Sequence, residues 1–573
     1  MFLSALDLFL VSLGLIYFII MMSAGLQVIR AARAGSHRRP TAGHGQERGS
    51  RLGLLSRWSA LDRGWAAISQ PTARLYRRVH IGVTTPEGPV TRAPVVVDAA
   101  DWVVYFLVPC LNEAAVIEDT VRELLSDRRA RVVVVDDASA DGTGELAVSV
   151  DPARVRLVRR ELPAARLGKG PALNEGYAAI LRDAAEAGLD PWGVIVCVMD
   201  ADGRASARAL DAVLPLFADD RVGGLQLPVK IRNKDKLLTR MQDVEFWGSA
   251  AVAQLGRTRF GTVSLGGNGQ FTRLAALMAL DRDPWMPSLT EDLDLALALL
   301  AAGWLITSTA DAFVTQEAIP TFKALIRQRT RWLQGHMLCY RRIPELWKSR
   351  SLSHVGLLEI TMYLMTPWIL VLPWSIVLNY SLLVVAESFV FGSNGAFGSS
   401  VAQHVVTLSL WYLLSFMPCW LSGYLYYRQD RRAGLARSLA LGHLLLAANY
   451  VTYIACWRAF YRILVGRAGW DKTARRTGAA LPARSSRLPM LAHLVPAPRS
   501  APRAGIRADR SGVALAAAGA VPTGDGPYVG VTVPARAGSG RPVSHRRGDD
   551  HPARSQSRGM ATAGGHRAPA RHR

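Results

Sequence analysis

Residues 3–28, LSALDLFLVSLGLIYFIIMMSAGLQV, form an apolar run of bilayer-spanning length whose one internal charge is Asp7, and Arg30, Arg33, Arg38 and Arg39 follow it. Positive charge behind a first span predicts an outside N terminus and a cytoplasmic continuation. Neither flank fits a secretory leader, which carries basic residues before its apolar core and a small-residue cleavage site after it. Apolar sequence returns beyond Trp347, over 355–391 (interrupted by Pro367 and Pro373), 402–427 and 436–457, which gives four or five passes. The segment from Glu387 to His404 lacks Lys and Arg and is expected outside, with Arg428, Arg431, Arg432 and Arg437 inside. Arg458, Arg462, Arg467 and Lys472 also belong inside. Either 436–457 lies on or re-enters the membrane, or 355–391 contains two short passes.

Between the membrane segments the pattern changes to buried strands alternating with helical periods. VVYFLVP is followed by a helix over Glu113–Leu125, RVVVVDD by a helix after Asp141, and VIVCVMD by a helix over Ser206–Phe217. This predicts an α/β domain on a largely parallel sheet, with ligands at the carboxyl ends of its strands. Those ends are acidic: Asp136 and Asp137 close one strand, and Asp200 and Asp202, in DADG, close another. One such pair is explained by turn formation or helix capping. Two pairs favour a nucleotide or phosphate site, where Mg²⁺ or Mn²⁺ shared with substrate phosphates relieves the repulsion between carboxylates. Lys169, between Gly168 and Gly170 before a helical run, suits a phosphate contact. P-loop spacing is absent and no GxGxxG follows the first strand, which argues against an ATPase or a dinucleotide-dependent dehydrogenase.

Charge and cysteine content add limits. The net charge is +23, but from Asp471 onward 18 Lys and Arg stand against five Asp, so the excess is concentrated in a tail rich in Ala, Pro, Gly and Arg. Such a tail, over 471–573, is expected to be disordered and to meet anionic lipid headgroups rather than nucleic acid. The five cysteines show no CxxC spacing and are expected as reduced, buried thiols. The organisation expected is a membrane helix over 1–29, a basic linker over 30–98, a soluble domain over 99–345, interfacial and transmembrane helices over 346–470, and the tail.

In LIRQRTRWLQGHM, Gln328, Arg331 and Trp332 recur three and four residues apart and share one helical face. The plainer alternative is a tryptophan packed on the domain beside an arginine reaching for headgroups. Taken in order, VPCLNE, DDASADGT, GKGPALN, DADG, GGNGQFTR, TED and QRTRW resemble the membrane-bound, processive family 2 glycosyltransferases, the group of cellulose, hyaluronan, chitin and poly-N-acetylglucosamine synthases. The resemblance covers roughly residues 100–476.

The resemblance implies a GT-A-like cytoplasmic domain with a mostly parallel Rossmann-like sheet, joined to α-helical membrane segments in the cytoplasmic membrane. It implies that Asp136, Asp137 and Lys169 contact a UDP-sugar donor, that Asp200 and Asp202 hold the metal on its diphosphate, and that Asp292 of TED is the base. Arg331 would meet the leaving diphosphate, Gln328 and Trp332 the acceptor, with Asn268 and Gln270 on the acceptor side. One base and one displacement invert the anomeric centre. Thr290 is placed to cap the helix that begins at Glu291. The activity implied is extension of a β-linked polysaccharide coupled to export, or else single transfer to a lipid acceptor. Few membrane segments follow QRTRW, so export would call on a homo-oligomer or a partner protein.

Overall fold

The computed structural model describes residues 2–36, 84–85, 88–89, 102–280, 282–349, 351–391 and 401–467. The tail expected over 471–573 lies outside the described residues, as does the linker expected over 30–98, apart from its start through Ser36 and a short ladder between Thr84–Thr85 and Gly88–Pro89.

The chain begins with α1 (Phe2–Ser36). The α/β domain follows with β1 (Val103–Cys110), α2 (Ile117–Leu124), β2 (Ala130–Asp137), α3 (Thr143–Ser149), β3 (Val155–Arg160), α4 (Lys169–Glu186), β4 (Val194–Val198), β5 (Arg204–Ala205) and α5 (Ala209–Val213). It continues through β6 (Val222–Gln226), β7 (Val229–Ile231), α6 (Leu237–Asp243), a π-helical stretch over Val244–Ala250, α7 (Ala251–Arg257), β8 (Gln270–Arg273) and α8 (Leu274–Met278). Then come α9 (Glu291–Ala301), β9 (Leu305–Ser308), β10 (Val314–Gln316) and α10 (Phe322–Leu338). The remaining helices are α11 (Ile343–Lys348), α12 (His354–Thr366), a π-helical stretch over Pro367–Val371, α13 (Leu372–Phe391), α14 (Val401–Gln429) and α15 (Leu435–Leu464).

The main sheet has the order β9-β6-β8-β4-β1-β2-β3, and β5-β10-β7 form a smaller one. β3, β2, β1 and β4 are mutually parallel, β9 is parallel to β6, and β8 runs antiparallel to both its neighbours. Alternate residues feed opposite layers. Val133 and Val135 pack with Leu173, Tyr177 and Ile180 of α4, whereas Val132 and Val134 pack with Ile117 and Val121 of α2. Burial on both faces is why RVVVVDD reads as a continuous apolar run. At about 1.5–3 kcal/mol per buried Val or Leu, these two layers supply much of the driving force for folding.

Several local expectations change. Helix α2 starts at Ile117 rather than Glu113, because Glu113 and Ala114 give their backbone N–H groups to Thr143 and Asp141 side chains. The helix expected over Ser206–Phe217 is α5 followed by a 3-10 segment, with Pro215 in its first turn. The strand-like TVSLGG segment makes no ladder; pairing begins at Gln270. Thr290 makes no side-chain cap, since its Oγ1 faces Cys339 Sγ at 3.8 Å. All five cysteines are buried and free.

Three helices among the described residues are long and apolar enough to cross a membrane: Ser12–Arg30, His354–Glu387 and Leu435–Leu464. The pass expected over 402–427 forms α14, which contains Pro418 and is not one of the three. From His354 to Phe391 the helix runs on through the π-helical stretch without a break into two passes. α15 touches the α/β domain along two separate parts. Leu441 and Leu445 pack with Met241, Val244 and Trp247, while Cys456 and Ala459 pack with Met337, and Arg462 Nε donates to Gln334 Oε1 at 2.7 Å. The helix that carries residues 436–457 is thus both one of the three long apolar helices and packed against the α/β domain at these two places. Helix α1 also packs directly on α7, where a Cβ on Gly256 would stand 2.5 Å from the Met21 carbonyl oxygen.

Candidate active site

Parallel β1, β2 and β4 end on the same edge of the sheet, and this brings the two acidic strand ends together. Asp136 is buried behind the edge, where its Oδ1 accepts from the Ser139 N–H at 2.8 Å. Asp137 faces the cavity and forms a buried ion pair with Arg160, its register partner on β3, whose other guanidinium nitrogen donates to the Ala164 carbonyl at 2.5 Å. Lys169, at the start of α4, places Nζ 2.7 Å from Asp200 Oδ1 and donates to the Gly267 carbonyl at 2.7 Å. Burial works against that charge, but Asp200, Glu291 and Asp292 outweigh it and hold the ammonium above the usual lysine range. Asp202 Oδ2 accepts from the Glu317 N–H at 3.2 Å, and its carbonyl accepts from Arg232 at 2.7 Å.

The loop 266–268 is pinned against these groups. Gln226 Oε1 accepts from Gly266 N at 2.7 Å, and Asn268 Oδ1 accepts from Asp200 N at 3.3 Å while its Nδ2 donates to Gln316 at 3.0 Å. Asn268 therefore braces the strand end that carries Asp200. Gln270 is apart from the others: it lies within β8, 1% exposed, and does not line the cavity. Gly267 has a steric reason, because a Cβ there would meet Lys169 Nζ at 2.7 Å and Asp292 Oδ2 at 3.3 Å.

Asp292 sits in the first turn of α9 beside buried Glu291. Burial raises the Asp292 carboxyl above the ordinary range, with Lys169, the Leu293 N–H and Arg331 pulling the other way; burial and the Asp292 charge raise Glu291 likewise. Arg331 points Nη1 towards the Leu289 carbonyl at 3.5 Å, just before that turn. Gln328, Arg331 and Trp332 all line the cavity, as their spacing on α10 requires.

Trp332 meets Phe246 edge to face, with ring centroids 6.3 Å apart at 83°. The Arg329 guanidinium lies 4.7 Å from the Trp332 ring and 5.2 Å from Phe246, and pairs with Glu245 at 2.9 Å. Glu245 and Phe246 belong to the π-helical stretch after α6, a distortion that often marks functional positions and has no sequence signature here.

These groups share a cavity of about 1060 Å³ that runs from Asp137, Lys169, Asp200 and Asp202 past Asp292 and Trp332 to Tyr17, Phe18, Met21 and Met22 of α1. Among the described residues no cluster of three or more His, Cys, Asp or Glu is placed to hold a metal by itself. Asp200 and Asp202 as a cavity-lining pair fit a divalent ion that takes its remaining ligands from a bound diphosphate.

Acidic strand ends, a buried carboxylate at a helix start and a cationic helix beside it thus share one cavity on this α/β fold. Residues 100–335 match the family model described as "Glycosyltransferase like family 2". The chain carries a family 2 glycosyltransferase domain of GT-A-like fold with a mostly parallel central sheet. It is similar to a beta-monoglucosyldiacylglycerol synthase of Trichormus variabilis, 31% identical over 284 residues, 47% of this chain and 56% of the relative. It is also similar to a poly-beta-1,6-N-acetyl-D-glucosamine synthase of Staphylococcus aureus, 27% identical over 234 residues, 40% of this chain and 53% of the relative. A mannosyltransferase structure from Pyrobaculum calidifontis aligns with 68% of this chain and 96% of its own at 19% identity and a TM-score of 0.39. The chain spans about half the length of the curated relatives it matches.

Proposed function

We propose that this protein is an inverting, metal-dependent glycosyltransferase that moves a sugar from a UDP-sugar to the hydroxyl of a membrane lipid at the cytoplasmic membrane face. The observation that carries this reading is the continuity of the cavity, which joins the acidic strand ends to the apolar side chains of α1. An acceptor from the bilayer reaches Asp292 along that path, and the similar protein of Trichormus variabilis is a beta-monoglucosyldiacylglycerol synthase.

Asp200 and Asp202 would hold a divalent cation, which would supply positive charge to the donor diphosphate. Lys169 and Arg331 add cationic charge where negative charge grows as the sugar leaves. Asp292 takes the proton of the acceptor hydroxyl as its oxygen attacks the anomeric carbon and the diphosphate departs. One displacement inverts the anomeric centre and turns an α-linked donor into a β-glycoside. Asn268 positions Asp200, and the Arg329–Glu245 pair positions the Trp332 ring.

A second reading, extension of a β-linked glycan, draws support from the Trp332–Phe246 ring pair beside the cavity, a surface suited to an acceptor sugar. Purified protein in vesicles, given a panel of labelled UDP-sugars with Mn²⁺ and diacylglycerol, separates the two. A single-sugar glycolipid supports the first reading; a polymer formed without lipid acceptor supports the second.

A further inference from the structure

The cavity wall beyond Trp332 is built from residues the transfer chemistry does not use. Arg257, at the end of α7, is 3% exposed. Its Nε pairs with Glu359 at 3.0 Å, Nη1 donates to Ser264 Oγ at 3.1 Å, and its guanidinium lies 3.7 Å from the Tyr363 ring centroid. Its Nη2 has no hydrogen-bond partner among the described residues, although Arg257 lines the cavity. A buried cationic donor left in this state is costly unless a ligand oxygen completes it.

The surrounding wall fits a small neutral polar group with an apolar extension. His336 lies one helical turn, about 6 Å, beyond Trp332 on the same face of α10. Its Nε2 donates to the Tyr363 carbonyl at 2.9 Å, and burial pulls its pKa down to about 4, so the ring is neutral near pH 7. Tyr17 of α1 donates to Glu359 at 3.0 Å, and Phe18, Met21 and Met22 continue the wall as apolar surface. Because Glu359 already neutralises Arg257, the centre suits an ester or hydroxyl oxygen better than a phosphate.

We propose that Arg257, with Tyr363 and His336, forms a headgroup site for a neutral diacylglycerol-type acceptor, in which Arg257 Nη2 donates to an ester oxygen of the glycerol backbone and Phe18, Met21 and Met22 receive the start of the acyl chains. This rests on the lipid-acceptor reading above and assigns it a site. The spacing suits it: the free hydroxyl of the glycerol faces Asp292 and Trp332 while the esters lie a turn further along α10.

The test is calorimetric binding of dihexanoylglycerol, and of dihexanoyl phosphatidate, to the full chain in detergent with UDP and Mn²⁺ present, alongside transfer to dihexanoylglycerol from labelled UDP-sugars. The parent is expected to bind the diacylglycerol more tightly than the phosphatidate. Arg257→Lys should weaken diacylglycerol binding by roughly tenfold or more. Met22→Trp, which fills the apolar wall and leaves the buried ion pair intact, should do the same with the UDP affinity unchanged, so the proposal stays testable even if Arg257→Lys does not fold. Binding that both variants weaken, without transfer by the parent, sustains the site and removes the lipid-acceptor function. Transfer by the parent that Met22→Trp leaves unchanged in acceptor KM overturns the site while the function stands. Tighter phosphatidate binding overturns the neutral-headgroup assignment. Binding of a soluble β-linked tetrasaccharide in place of any lipid, weakened by Met22→Trp, overturns it in favour of a glycan subsite.

Discussion

Lys169 Nζ lies 2.7 Å from Asp200 Oδ1 and donates at the same distance to the carbonyl of Gly267, so one ammonium joins the strand end that carries Asp200 to the loop 266–268. Removing it leaves Asp200, Glu291 and Asp292 without their nearest shared cation. Lys169→Ala is expected to weaken UDP binding about 10- to 100-fold, the scale of a charge-assisted hydrogen bond. Titration calorimetry with UDP and Mn²⁺ checks this; an unchanged affinity places the lysine outside donor binding.

Asp202→Asn keeps the shape of the strand end and the acceptor for the Glu317 N–H but removes the charge that draws a divalent cation. Transfer should fall to background and Mn²⁺ titration should no longer restore it. Full activity of the parent in excess EDTA would show that the pair has another role.

Burial raises Asp292 above the ordinary carboxylate value, and a general base works only when deprotonated. As pH falls through that raised pKa the rate should therefore fall, with the acid limb above pH 3.8, the unperturbed value. Asp292→Asn should slow transfer by roughly 10²-fold or more, remove the limb and leave the donor Kd nearly unchanged. A collapse of donor affinity instead makes Asp292 part of the metal or donor site.

Arg331 and Trp332 are adjacent in sequence and should fail differently. Arg331→Lys retains charge but loses the planar fork, so turnover should drop with every acceptor. Trp332→Ala removes the ring that Arg329 and Phe246 hold in place, and acceptor KM should rise while UDP binding persists. Initial rates at varied donor and acceptor separate the two; matching defects would mean that α10 merely packs.

Much of this site was legible as sequence because its parts sit where strand and helix periods end. Asp137, Asp200 and Asp202 reach the cavity because parallel strands place their carboxyl ends on one edge, and Lys169, Asp292, Gln328, Arg331 and Trp332 reach it from the helices α4, α9 and α10. Gln270 misled because neighbourhood in sequence cannot tell an in-sheet side chain from one on the loop before it. Asn268 turned out to brace Asp200, a partner 68 residues away. Phe246 and Glu245 escaped notice because a π-helical register leaves no pattern of residue types. Tyr17 and Arg257 come together across more than two hundred residues of chain, through Glu359, and an apolar run read as an anchor gives no sign that it walls the cavity.

The central claim is that the membrane side of the cavity delivers a lipid acceptor to Asp292 for a single inverting transfer. The most direct measurement is the structure of the product made by the full chain in diacylglycerol vesicles from its preferred UDP-sugar, with chain length read by mass spectrometry and anomeric configuration by NMR. A glycolipid carrying one β-linked sugar is the result predicted. A lipid-free polymer, or an α-linked product, would contradict it.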